Sequence, residues 1–257
     1  MNETIIQKVR EKNPLIHHLI NEVVMNFVAN GTLAFGASPV MAKEPNEAGD
    51  MAKHADAVYL NIGTITKNDV SAMIAAGKAG NEKGIPVVLD PVGVAATPFR
   101  QEVTQEILKE VKPTVIKGNA GEIAYLAGIS WEIKGVDSVG SGNVEESAKM
   151  VAEKYDTSVV VTGETDVIYC GGKITTNAYG HSLLTKVTGG GCLLGSIISS
   201  CLTTDDPLEA QLQTAVECYG RAAEYAASRP QVNGPGTFMS AFVDALSLDT
   251  TTLRGAE

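Results

Sequence analysis

Residues 85–90 read IPVVLD, a short apolar run rich in Val that ends on the carboxylate of Asp90. Three more runs of this kind lie at residues 57–63 (AVYLNIG), 114–118 (TVIKG) and 158–162 (SVVVT). Continuous apolar runs of this length are typical of strands that are buried on both faces, as in a parallel sheet. The four runs therefore predict parallel strands.

Helical spacing fills the intervals between these runs, at residues 67–83, 102–111 and 144–155. Alternating strands and helices favour a three-layer α/β/α fold, in which helices cover both faces of a mostly parallel sheet. Residues 166–177 (DVIYCGGKITTN) predict a hairpin at the sheet edge, because two glycines separate two short strand-like segments. The chain from residue 192 onward is mainly helical in pattern.

The bulk composition excludes several classes of function. The 257 residues show no break in composition, so we expect one domain over residues 1–257. A net charge of -10 repels nucleic acid and anionic membranes over most of the surface. The start of the chain lacks the pattern of a signal peptide, and no apolar run is long enough to span a membrane, so we expect a cytoplasmic protein.

Polar side chains stand at the carboxyl ends of the predicted strands. This is the place where ligands usually bind in open α/β sheets. Asp90, Lys117, Glu122 and Thr162 should therefore face one rim. The carboxylates of Asp90 and Glu122 are candidates to hold Mg²⁺, directly or through water, and Lys117 could reach a nucleotide phosphate. Structural alternatives exist, because Asn119 and Glu122 have the spacing of a helix capping box and Asp90 precedes a proline turn.

The glycine turn at residues 187–192 (VTGGGC) leads directly into an apolar helix at residues 193–202. Gly189, Gly190 and Gly191 carry no Cβ, so their N–H groups can approach an anion at a helix amino end. This pattern predicts a phosphate cradle, although it is neither a Walker motif nor a dinucleotide fingerprint. The alternative is a turn that only allows strand and helix to pack.

Cys192 lies in the first turn of that helix, where the helix dipole is expected to lower the pKa of a thiol. It could act as the base that takes a proton from a substrate hydroxyl while the oxygen attacks the γ-phosphorus. It could instead be a nucleophile paired with a histidine such as His181. A third alternative is a small buried apolar residue, which is the interpretation we prefer for Cys201 and Cys218.

The amino-terminal region supplies candidates for substrate binding. Asn21 could form a hydrogen bond with a polar ring atom, and Met41 offers a soft contact suited to a flat sulfur heterocycle. His17 and His18 are adjacent, so on a strand they point to opposite faces and do not predict a metal site.

Six segments in the same order resemble the hydroxyethylthiazole kinase family over nearly the whole chain. They are residues 21–42 (NEVVMNFVANGTLAFGASPVMA), 60–64 (LNIGT), 89–100 (LDPVGVAATPFR), 117–128 (KGNAGEIAYLAG), 160–168 (VVTGETDVI) and 183–196 (LLTKVTGGGCLLGS). The resemblance implies a ribokinase-like α/β/α fold without a separate lid domain. It also implies ATP and Mg²⁺, phosphorylation of the hydroxyl of 4-methyl-5-(2-hydroxyethyl)thiazole in thiamine salvage, and a homotrimer with its sites between subunits.

The same resemblance implies roles for individual residues. Lys117 and Thr162 match ATP-contacting positions, Met41 and Gly189 match thiazole-contacting positions, and Cys192 stands where most ribokinase-like relatives carry a catalytic aspartate.

The sequence departs from this family at two places. Lys117 replaces a common arginine, which turns a bidentate phosphate contact into a single one. Gly190 replaces a slightly larger residue, which gives the cradle more freedom.

Three other functions remain open at this point. One is a related kinase for a hydroxymethylpyrimidine or a sugar, another is a transferase with a Cys192 nucleophile, and the third is a binding module for ATP or a thiamine precursor.

Overall fold

The computed structural model describes residues 1–129 and 141–255. Their strands form one eight-stranded sheet in the order β2-β1-β3-β4-β5-β6-β7-β8. The strands are β1 Leu15–Leu19, β2 Ser38–Val40, β3 Ala57–Asn61, β4 Val87–Asp90, β5 Val115–Asn119, β6 Ser158–Thr162, β7 Asp166–Cys170 and β8 Lys173–Asn177. The first six strands in this order pair in parallel, and β7 and β8 pair antiparallel at the edge.

Helices pack on both sides of this sheet. They are α1 Glu3–Lys12, α2 Met25–Phe35, α3 Pro45–His54, α4 Lys67–Lys83, α5 Pro98–Glu110, α6 Ala120–Ala127, α7 Ser141–Tyr155, α8 Gly190–Cys201, α9 Leu208–Ala227, α10 Pro235–Leu246 and α11 Thr250–Arg254. A 3₁₀ helix at Ser182–Lys186 precedes α8. None of the helices in the described part of the chain combines the length and apolar character needed to cross a bilayer.

Alternation of side chains along the strands divides the core into two apolar clusters. Tyr59 of β3 and Val88 of β4 face one cluster, which α1, α2 and α8 to α11 cover. Val58 and Leu89, their neighbours in sequence, face the other cluster, which α3 to α7 cover. Because successive residues of a strand point to opposite faces, strands buried on both sides need apolar residues throughout. The predicted three-layer α/β/α fold is confirmed.

Most element boundaries agree with the sequence pattern, and the differences have local causes. Helix α5 begins at Pro98, four residues before the predicted start, because the Thr97 hydroxyl accepts a hydrogen bond from the Arg100 N–H and proline suits a first turn. The edge hairpin is confirmed, with Gly171 and Gly172 at φ 57° and 80° in its turn. Strands β1 and β2 were not predicted, since β1 contains two histidines and β2 has only three residues.

The two histidines of β1 point to opposite faces, as their adjacency predicts. His17 Nε2 lies 2.8 Å from the Ala42 carbonyl oxygen, whereas His18 Nε2 lies 2.7 Å from Ser196 Oγ on α8. Ser196 Oγ is in turn 2.6 Å from Thr32 Oγ1 on α2. This buried network connects the sheet with the two helices that flank the glycine turn. Burial lowers the pKa of His18 to about 4, so its ring is neutral at pH 7.

We predict that His18 makes the protein less stable in mild acid. Its folded pKa is below the unfolded value, so its contribution is complete above pH ~6.5 and is lost as the pH falls towards 4. Linkage gives a loss of about 2 kcal/mol in the free energy of unfolding between pH 7 and pH 5. Urea titrations should show this slope in the wild type and a smaller one in His18→Gln. The exposed His54→Gln is the control, and equal slopes in all three proteins would contradict the prediction.

Candidate active site

The carboxylate of Asp90, at the end of β4, lies at the centre of a polar cluster. Its Oδ2 accepts hydrogen bonds from the Tyr59 hydroxyl, the Asn61 amide and the Lys117 ammonium, each at 2.9 Å. Tyr59 and Asn61 lie two residues apart on β3 and therefore share a face, and Lys117 lies on β5. Three neighbouring parallel strands thus contribute side chains to one point near the rim of the sheet.

The Asp90–Lys117 pair is an ion pair in the protein interior. Lys117 is 3% exposed and Asp90 is fully buried. Burial alone lowers the pKa of Lys117, but the charge of Asp90, supported by Cys192 and Glu122, outweighs it and the pKa is raised. Asp90 Oδ1 is also buried and has no hydrogen-bond partner among the described residues. This oxygen is free to accept a hydrogen bond from a ligand or from bound water.

The glycine turn lies directly above this cluster. Gly189 has φ 94°, a left-handed conformation that favours glycine, and a Cβ there would approach Val24 Cγ1 to 2.8 Å. It precedes α8, in whose first turn the N–H groups of Gly191 and Cys192 have no backbone acceptor among the described residues. Lys117 Nζ also donates to the Gly191 carbonyl at 3.1 Å. The predicted cradle and the predicted carboxylate rim are therefore in contact.

Two side-chain amides hold the sulfur of Cys192. The Nδ2 atoms of Asn61 and Asn21 lie 3.3 Å and 3.5 Å from Sγ, and Asn21 also donates to Asn61 Oδ1 at 2.9 Å. Burial and then the charge of Asp90 raise the pKa of the Cys192 thiol, while Lys117 and the two amides lower it. The net shift is upward, so the expectation that the helix end lowers this pKa is wrong. At neutral pH the thiol holds its proton.

Glu122 joins the first turn of α6 to the loop after β4. Its Oε2 accepts from the Asn119 N–H and its Oε1 from the Gly93 N–H, both at 2.8 Å, and Asn119 caps the Glu122 N–H in return. The capping box suggested by the sequence is therefore present. Burial and then Asp90 raise the pKa of the Glu122 carboxyl, partly offset by Lys117. The carboxylate retains lone pairs beyond these two contacts.

A cavity of about 750 Å³ opens beside the first turn of α8. Thr162, at the end of β6, lines it together with Gly190, Gly191, His181 and Tyr219. Its volume lies within the range of pockets that bind molecules of nucleotide size.

Two residues singled out in the sequence take no part in the hydrogen bonds around Asp90 and Cys192 in the described part of the chain. Met41 follows the edge strand β2 and packs, partly buried, on the apolar cluster that also includes Phe27. His181 accepts the Leu183 N–H at Nδ1, 3.2 Å away. In the described part of the chain the hydrogen-bond partners of Cys192 Sγ are amides rather than a histidine. The geometry therefore gives no support to a dyad of Cys192 with His181.

Sequence reasoning missed three residues that shape the site. Asn61 is a polar residue at the end of a buried strand, so the rule that selected Asp90 could have selected it. Arg100 donates to the carbonyls of Ile62 and Val92 at 2.6 Å and 2.7 Å and so connects the loops after β3 and β4. Tyr59 lies within an apolar run and carries no signal in the sequence.

The fold is that of ribokinase-like proteins. A ribokinase-like superfamily protein from Enterococcus faecalis V583 has a TM-score of 0.67 at 12% identity, over 96% of this chain and 94% of that one. The structure of a hydroxyethylthiazole kinase protein from Pyrococcus horikoshii OT3 is more similar, with a TM-score of 0.88 at 37% identity over 98% of this chain and 95% of that one.

The sequence comparisons narrow the class to one family. Residues 6–251 match the profile of the Hydroxyethylthiazole kinase family. The protein named Hydroxyethylthiazole kinase 1 from Oceanobacillus iheyensis is 56% identical over 247 residues, which are 96% of each chain. The chain belongs to the hydroxyethylthiazole kinase family.

We predict that breaking the buried ion pair strongly destabilises the protein. Lys117→Met leaves the Asp90 charge buried without its cation, which should lower the free energy of unfolding by about 3–5 kcal/mol. Lys78→Met is the control, because Lys78 forms a 3.0 Å pair with Glu110 on the surface, where solvent screens the two charges and the pair adds little to stability. Urea denaturation would measure both variants. Similar losses in the two would contradict this assignment.

Proposed function

We propose that this protein transfers the γ-phosphoryl group of ATP to the hydroxyl of 4-methyl-5-(2-hydroxyethyl)thiazole, a step in thiamine biosynthesis or salvage. One observation carries the proposal: the Cys192 sulfur lies in the first turn of α8, and the Asn61 amide links it to Asp90, which is paired with Lys117. A proton acceptor, anion donors and a cation at one point are the groups that phosphoryl transfer to an alcohol requires. Membership of the kinase family supports ATP as co-substrate and the thiazole as acceptor.

ATP is proposed to bind in the cavity beside α8, with Thr162 and Lys117 contacting it. Thr162 lines the cavity, and its hydroxyl lies 3.4 Å from the Gly118 carbonyl. Lys117 uses two of its three N–H bonds on Asp90 and Gly191, which leaves one for a phosphate oxygen. The cradle of Gly189, Gly190 and Gly191 would then receive the terminal phosphate at the start of the helix.

Mg²⁺ is proposed to bind near Asp90 and Glu122, through water. The free Oδ1 of Asp90 and the remaining lone pairs of Glu122 fit a hydrated cation, since both side chains are buried acceptors at the same rim. Mg²⁺ usually keeps several waters and is bound by one or two carboxylates together with substrate phosphates, which agrees with a pair of carboxylates here. When bound, Mg²⁺ would neutralise phosphate charge.

The thiazole is proposed to bind against Asn21, Met41 and Gly189. The Asn21 amide is already directed at Cys192, so a ring beside Asn21 would bring its alcohol close to the sulfur. Gly189 lies against Val24 and Phe27 with no room for a Cβ, so glycine lets the turn pack on these apolar side chains at the proposed thiazole site.

A homotrimer with sites between subunits is also part of the proposal. Val23, two residues from Asn21, is 70% exposed, and Leu33 on α2 is 56% exposed. Exposed apolar side chains of this kind are suited to contact with another subunit. Light scattering coupled to gel filtration would measure the mass.

The proposed role of Cys192 is that of the base. Its neutral thiol would be a weak acceptor at pH 7, because burial and Asp90 raise its pKa. Burial and Asp90 therefore limit the rate of transfer, because they lower the fraction of Cys192 that is present as thiolate.

The direct test is formation of the thiazole monophosphate from ATP, with and without excess EDTA. A panel containing a hydroxymethylpyrimidine and simple sugars serves as the comparison. Product from the thiazole only, and only with Mg²⁺, is expected. Turnover of another alcohol in place of the thiazole would reject the substrate assignment.

We predict that Cys192→Asp keeps or increases the activity, whereas Cys192→Ala loses most of it, about 10²-fold or more. A carboxylate can act as a base at this position but cannot replace a thiol nucleophile. Because the thiol pKa is raised, kcat/KM of the wild type should increase with pH through the alkaline range. In Cys192→Asp this increase should move to lower pH. Loss of activity in both variants, or an unchanged pH profile, would count against Cys192 as the base.

A further inference from the structure

Tyr59 is a fully buried tyrosine whose hydroxyl has no part in the transfer chemistry proposed above. The hydroxyl oxygen lies 2.9 Å from Asp90 Oδ2 and 2.9 Å from the carbonyl oxygen of Cys192. It also accepts a hydrogen bond from the Asn61 amide at 3.2 Å. A phenol has one proton, so Tyr59 donates to one of the two oxygens at a time and connects the carboxylate with the helix.

The first three carbonyl groups of α8 accept hydrogen bonds from side chains of other elements. The Gly190 carbonyl accepts from the Tyr219 hydroxyl, the Gly191 carbonyl from Lys117 Nζ at 3.1 Å, and the Cys192 carbonyl from Tyr59 at 2.9 Å. Each peptide unit carries a carbonyl and the next N–H, so donors at the first two oxygens also polarise the N–H groups of Gly191 and Cys192. The side chains of Tyr219, Lys117 and Tyr59 therefore hold the turn that forms the cradle in place.

Gly195, in the interior of α8, makes this arrangement possible. A Cβ at residue 195 would lie 2.4 Å from the ring and hydroxyl of Tyr59. Glycine is unfavourable in the interior of a helix compared with alanine. Its presence here is explained by the close passage of the Tyr59 ring across the helix towards Asp90.

We propose that Tyr59 is a positioning residue, whose hydroxyl holds the first turn of α8 at a fixed separation from Asp90, and that Gly195 provides the space for it. This inference rests on the proposed function, because it assigns the role of Tyr59 within phosphoryl transfer. Donors that stabilise developing charge act only when they are correctly placed in the transition state. Displacement of the turn should therefore lower kcat, while the KM values for ATP and the thiazole, which also depend on contacts outside the turn, change less.

The test is a double-mutant cycle of Tyr59→Phe and Gly195→Ala. Tyr59→Phe keeps the ring and removes only the hydroxyl, and Gly195→Ala keeps the hydroxyl and displaces the ring. Each should reduce kcat by roughly 10-fold with KM values within about 2-fold, since preorganised donors of this kind have large effects on kcat. The double variant should be no slower than the slower single variant, because both changes act through the same hydroxyl. Tyr155→Phe on α7 is the matched control and should behave like the wild type.

Hydrogen exchange gives a second measurement that does not depend on turnover. In Tyr59→Phe, exchange should become faster in the peptide containing residues 189–196 and stay unchanged in the strands. An unaltered kcat in Tyr59→Phe, additive losses in the double variant, or exchange that increases evenly over the whole sheet would each overturn the inference. If the wild type fails to phosphorylate the thiazole, the proposed function fails, and the exchange experiment still decides the role of Tyr59.

Discussion

The buried ion pair between Asp90 and Lys117 is the interaction on which the site depends. A charge in the protein interior is stable only when it is paired and hydrogen-bonded. This pair therefore requires the neighbouring strands and helix to bring their polar groups within hydrogen-bonding distance. Tyr59 and Asn61 complete the donors around Asp90, and Lys117 extends the contact to the first turn of α8. Strands β3, β4 and β5 and the helix that begins at the glycine turn therefore meet at one carboxylate.

This arrangement has opposite effects on the two functions that we assign to the turn. The cation of Lys117 and the exposed N–H groups favour an anion at the start of α8. The same burial and the nearby Asp90 raise the pKa of Cys192, which lowers the amount of thiolate at neutral pH. The site is thus better prepared to hold a phosphate than to remove a proton. Because the proposed base is a thiol with a raised pKa, we expect proton removal to limit the rate more than phosphate binding does.

Much of the fold could be predicted from the sequence because its signals are local. The apolar runs that became β3 to β6, the glycine turn of the β7–β8 hairpin and the helix at Lys67–Lys83 each follow from patterns within a few residues. The rule that ligands bind at the carboxyl ends of parallel strands predicts from the sequence alone that Asp90, Lys117 and Glu122 lie at one rim. In the structure Lys117 contacts both Asp90 at that rim and the Gly191 carbonyl of the glycine turn.

The remaining features depend on contacts between distant segments. Strand β1 contains two histidines that are stable there only because Ser196 and the Ala42 carbonyl meet them. The upward shift in the pKa of Cys192 arises from Asp90, about a hundred residues earlier in the chain, and from burial. Tyr59 has an ordinary position in an apolar strand, and its importance emerges only when Gly195 is seen against its ring. No local pattern carries that information.

A crystal structure with ADP, Mg²⁺, aluminium fluoride and the thiazole would test the central claim most directly. The account predicts fluorine atoms at about 2.7–3.1 Å from the backbone nitrogens of Gly191 and Cys192, with the thiazole alcohol between the aluminium and the Cys192 sulfur. Aluminium fluoride bound away from the first turn of α8, or an alcohol directed away from Cys192, would contradict it.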